Sequence, residues 1–108
     1  MSEVVVVVVA RAKPGSGDEA LAAFAGVAVP THAEEGCLTY ALHRSVADPD
    51  EIVLVERWAS REALDEHLAS EHLAAFRAGS ADLWAAPMQV VVTTPAPAGD
   101  PAKGSLAA

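Results

Sequence analysis

A chain of 108 residues has room for one domain, and its 52% of hydrophobic residues supply the apolar surface that a disordered chain lacks. With 15 acidic against 7 basic side chains the formal net charge is −8, which repels phosphate backbones and anionic lipid, so neither nucleic acid nor a membrane surface is expected as a partner. Cys37 is the only cysteine, which excludes an internal disulfide and a cysteine-based zinc site. The first apolar run lacks a basic lead-in, and no stretch approaches the ~20 apolar residues of a membrane span, so a cytoplasmic protein is expected.

Six consecutive valines, Val4 to Val9, mark the first strand, read over residues 3–12. The run does not alternate, which predicts burial of both strand faces. Pro14, Gly15 and Gly17 break it, and Ser16 or Asp18 can cap the helix that follows. Leu21, Phe24, Ala25 and Ala28 form one helix face, with an end expected between Pro30 and Gly36. Residues 37–44 alternate Leu38, Tyr40 and Leu42 against Thr39, Ala41 and His43, the period of a strand. A loop at Asp48-Pro49-Asp50 leads to a third strand over 51–59. Ser60 is placed to cap a second helix, and Ser70 to restart it as a second piece reaching Trp84. Pro87 ends that piece, residues 88–94 read as the last strand, and 95–108 as a flexible tail outside a domain of residues 1–94.

The order β-α-β-β-α-β predicts an α+β, ferredoxin-like fold: a four-stranded antiparallel sheet with its helices on one face. Strands one and three, the most continuously apolar, are then the central pair. The valine-rich reverse face would stand exposed on a single chain, and a homodimer formed through that face is the simplest cover.

Few residues can carry chemistry. Trp58 ends a central strand where a helix begins, a common place for a pocket wall. Phe24 and Phe76 stand at core helix spacing. Glu56 lies in an apolar strand and needs a partner, with Arg44, Arg57, His72 or Tyr40 as candidates. His67 and His72 are five residues apart, about 140° around a continuous helix, too far for joint metal binding unless Ser70 restarts the helix. No other spacing resembles a metal motif, so no metal is expected. His72 could act as a general base near neutral pH. No phosphate loop, nucleophile elbow or bound organic cofactor is signalled.

The run Thr31-His32-Ala33-Glu34-Glu35-Gly36-Cys37-Leu38-Thr39-Tyr40, the Glu56-x-Trp58-x-Ser60 motif and the pair His67 and His72 resemble the antibiotic biosynthesis monooxygenase (ABM) family, the dimeric α+β barrel group, over residues 3–94. The resemblance implies back-to-back packing of two sheets and a pocket between helices and sheet in each subunit. It also implies cofactor-independent oxidation of a small phenolic or quinol substrate by O2, with no cofactor. Haem-degrading relatives rely on an Asn, Trp and His set, and this chain has no asparagine. Where polyketide-oxidising relatives carry an asparagine before the tryptophan, this chain has Leu54. On this reading His72 takes the phenolic proton, with His67 and His43 as alternates. Trp58 and Phe76 stack on the substrate, Tyr40 bonds its oxygen, and Phe24 and Leu54 complete the lining. The alternatives are a non-catalytic dimer that binds a small molecule, or an isomerase of the same fold.

Overall fold

The computed structural model describes residues 3–106. Its elements are β1 (Val4–Arg11), α1 (Gly17–His32), β2 (Cys37–Arg44), β3 (Glu51–Trp58), α2 (Arg61–Leu68), α3 (Glu71–Ser80) and β4 (Gln89–Thr93), with a single 3-10 turn at Ala81–Leu83. The strands form one antiparallel sheet in the order β2-β3-β1-β4. That is the ferredoxin-like arrangement, with the two expected strands at its centre.

The valine run pairs on both sides, so alternation is imposed by the pleat rather than by residue type. Val4, Val6 and Val8 are buried, while Val5, Val7 and Val9 on the reverse face are only half-buried. Both-face burial is therefore met on one face within a single chain. Register places Ala41, Val55, Val7 and Val91 in one row across the reverse face. A second row is His43, Val53, Val9 and Gln89, and a third is Thr39, Arg57, Val5 and Thr93. In the third row the Arg57 guanidinium donates to both carboxylate oxygens of Glu3 at 2.8 Å.

The inward face of α1 is Ala20, Phe24, Val27, Ala28 and Thr31, rotated from the expected stripe because Ala25 is exposed and Leu21 only half-buried. Its cap also differs: Ser16 makes no side-chain cap bond, and the Asp50 carboxylate from the β2–β3 loop accepts from the Gly15 and Gly17 amides. A Cβ on Gly17 would lie 2.2 Å from the Pro49 carbonyl oxygen, so this close approach requires glycine.

Ser60 and Ser70 cap as expected, their Oγ atoms accepting from the Ala63 and Leu73 amides. The Ser70 hydroxyl also donates to the His67 carbonyl at 2.7 Å, which fixes the break between α2 and α3. No helix among the described residues is long and apolar enough to cross a membrane. Residues 94–106 carry no helix or strand, and a turn at Asp100–Gly104 brings Ser105 and Leu106 back beside Glu3 and Val5.

Candidate active site

The helices do not close tightly on the sheet, and a cavity of about 260 Å³ remains between them. Val6, Val8 and Leu54 form its floor. At one end Phe24, Phe76 and Trp84 pack as a cluster, with ring centroids 4.9 to 6.3 Å apart. At the other end stand Tyr40, Glu56 and His67. Val90, Val92 and Leu68, the half-exposed apolar lining residues, mark the mouth, and exposed Arg77 sits on its rim.

The polar end is built by contacts that converge on His67 from several elements. Trp58 is fully buried, stacks on the His67 ring at 4.6 Å and donates from Nε1 to Glu56 at 2.8 Å. Tyr40 meets the same imidazole edge-on at 5.7 Å. Glu34, in the loop after α1, reaches beneath α2 because that loop lies against it: a Cβ on Gly36 would come 2.3 Å from the Ala63 side chain. One oxygen of Glu34 then lies 2.7 Å from His67 Nδ1 and 2.8 Å from His72 Nε2. The helix restart at Ser70 is what brings the two imidazoles together, overcoming the angular separation of a continuous helix. Glu34, His67 and His72 could offer three ligand atoms to a metal ion, all within 4.8 Å of one another.

Burial pushes the Tyr40 hydroxyl well above its ordinary range, so at neutral pH it is a hydrogen-bond donor and not a base. Burial likewise raises the Cys37 thiol, with the Glu34 and Glu56 carboxylates adding to the effect, so it is no thiolate nucleophile. Glu56 is held above the usual carboxylate range by burial, opposed by the Trp58 N–H and by His67. A raised acid favours the fold below its unfolded value of about 4.5, and that contribution is lost as pH rises through the folded value. Glu56→Gln keeps an acceptor for Trp58 without the charge. Its melting temperature relative to the native protein should therefore rise towards neutral pH and fall back below pH 4.5. A pH-independent difference in parallel thermal melts would contradict this.

Of the residues singled out in the sequence, Tyr40, Phe24, Phe76, Leu54 and His67 line the cavity, whereas His72, His43 and Trp58 do not. His72 turns to Glu34 and borders an outer groove between α1 and α3. His43 lies on the opposite face of the sheet, its register partner being Val53. Trp58 backs His67 rather than walling the cavity. The expected ion-pair partners of Glu56 are also replaced, since Trp58 satisfies it and Arg57 points to the other face. Glu34, Arg77 and Met88 were not singled out, and Ser80 and Trp84 were read only as helical spacing and packing in the piece that reaches Trp84. Glu34 carried a signal of its own, as a carboxylate two residues before the Gly36 turn.

Residues 3–79 match the family model described as antibiotic biosynthesis monooxygenase. The chain belongs to the antibiotic biosynthesis monooxygenase family. Among its ABM relatives, "Putative monooxygenase Rv0793" of Mycobacterium tuberculosis is 48% identical over 66 residues, 61% of this chain and 64% of that protein. "Putative monooxygenase YcnE" of Bacillus subtilis is 30% identical over 83 residues, 77% of this chain and 87% of that protein. The matched segment thus spans just under two thirds of the Rv0793 sequence, and 56% of an uncharacterised Synechocystis relative. The solved structure of Rv0793 superposes with a TM-score of 0.80 at 36% identity, covering 93% of this chain and 99% of that one. An ABM structure from Nitrosomonas europaea gives 0.82 at 24% identity over 86% and 89%, a likeness of fold.

Proposed function

We propose that the protein is a cofactor-independent monooxygenase that oxidises a small phenol or quinol with O2 in the cavity between helices and sheet. The observation that carries this reading is the pairing, in one apolar cavity, of an imidazole and an aromatic cluster. His67 takes the phenolic proton. Phe24, Phe76 and Trp84 stack on the ring, and Tyr40 donates to the substrate oxygen. Removing the proton in an apolar site leaves an electron-rich phenolate, the form that gives up an electron to O2. For a phenol with a free ring C–H, one oxygen atom becomes the second quinone oxygen. The other leaves as water, taking the O–H and that C–H hydrogen, so the substrate supplies all the electrons. Leu54, where a polar residue would contact oxygen, favours the rival reading of a binding module without turnover.

The working unit is a homodimer joined through the valine face of the sheet. Incubation with a panel of phenols and quinols under 18O2 tests the chemistry: one labelled oxygen per quinone formed from a phenol, and no product without oxygen, is the expected result. Binding of the same compounds without oxygen uptake, or product formed anaerobically, would replace the monooxygenase with the binding module or the isomerase.

A further inference from the structure

We propose that Glu34 is a positioning residue that holds His67 in its Nδ1–H tautomer, so that the bare Nε2 faces the cavity as the base. The inference deepens the proposed function and rests on it for the chemical role alone.

An ionised carboxylate only accepts hydrogen bonds, so the nitrogen 2.7 Å from Glu34, Nδ1 of His67, carries the proton. A neutral ring has one N–H, which leaves Nε2 bare. That nitrogen bonds to no protein group among the described residues, yet no buried side-chain nitrogen or oxygen there lacks a partner. Nε2 therefore keeps some exposed surface, and His67, 2% exposed overall, is a lining residue of the cavity. The same carboxylate oxygen accepts from Nε2 of His72, 2.8 Å away, and His72 lies on the outer side, against the groove between α1 and α3. One acidic group thus orients an inner imidazole and anchors an outer one.

Every group that faces His67 agrees with this division. Glu34 comes from the loop after α1, Tyr40 from β2, Glu56 and Trp58 from β3, His72 from α3, and Arg77 stands on the cavity rim. Of these only Glu34 is bonded to the ring. Tyr40 is a donor and Glu56 is occupied by Trp58. The carboxylate also stabilises the imidazolium formed when Nε2 takes a proton, as a carboxylate does for the histidine of a catalytic triad. The hydrogen-bond reading is preferred to an ion at the same three donors because 2.7 and 2.8 Å are N–H···O distances.

Nitrogen-15 NMR of the histidine rings, at a pH where they are neutral, reads the tautomer directly. Native His67 should show Nδ1–H with a bare Nε2. Glu34→Ala should convert it mainly to Nε2–H, and His72→Ala should leave it as Nδ1–H. A native His67 already protonated at Nε2, or an unchanged tautomer in Glu34→Ala, overturns the proposal. So does a flip in His72→Ala, and so does zinc binding that displaces both ring protons at micromolar metal. In oxygen uptake Glu34→Ala should lose roughly 10²-fold in kcat with little change in KM. A native protein that consumes no oxygen would sink the monooxygenase reading while the NMR result still stood or fell by itself.

Discussion

Replacing His67 by alanine is expected to cut oxygen-dependent oxidation of the phenol by roughly 10²–10⁴-fold, the usual contribution of a positioned general base. The ring is the one imidazole that lines the cavity. Its loss also unpacks Trp58 and removes a donor to Glu34, so the folded state needs a separate check by melting. His67→Gln fills much of the space without a base and should be as slow as alanine while melting closer to the native protein. Imidazole added to His67→Ala should restore part of the rate, which a purely structural role would not allow. His72→Ala should cost far less, since that ring faces the outer groove. An unchanged rate in both His67 variants would remove the base from the mechanism, and a larger loss in His72→Ala would move it to the outer ring.

Introducing a charge on the reverse face should dissolve the proposed dimer. Val7 is the centre of the row Ala41, Val55, Val7 and Val91, and Val91 in that row is 56% exposed on one chain. In a two-fold assembly Val7→Asp places two carboxylates in the buried interface without partners. That weakens association on the order of 10³-fold, about 4 kcal/mol. Light scattering on a sizing column should give the native protein twice the mass of one chain at micromolar concentration, and the variant a single mass. A native monomer under those conditions, or a variant that stays dimeric, would remove this interface. The bidentate pair of Arg57 with Glu3 lies in the neighbouring row, so the same face also offers a charged group already neutralised within its own chain.

The site was legible in its materials more than in its arrangement. Tyr40, Phe24, Phe76 and His67 were readable because strand alternation and helix spacing assign them to the inner side, and Leu54 was readable only through the resemblance to the family. In β2 an irregularity between Cys37 and Thr39 breaks the expected alternation, leaving Leu38 46% exposed while Tyr40 turns inward. Trp58 and His72 were misplaced for a shared reason. Spacing along one element says which way a residue leaves the backbone, and not which neighbour from another element already fills the space it enters.

The sequence by itself determined the element order, the central pair of strands, the caps at Ser60 and Ser70, and the apolar reverse face. These follow from local rules: β-branched runs, N-cap chemistry and the period of the pattern. Only the tertiary structure decided that Asp50 caps α1 from 33 residues away, that Trp58 backs the imidazole instead of walling the cavity, and that Glu34 joins His67 to His72 across 33 and 38 residues. Such contacts depend on the angle at which loops and helices meet the sheet, and on gaps such as Gly17 and Gly36 that let backbones close in. No periodicity encodes that angle, because it is set by the packing of all the elements at once.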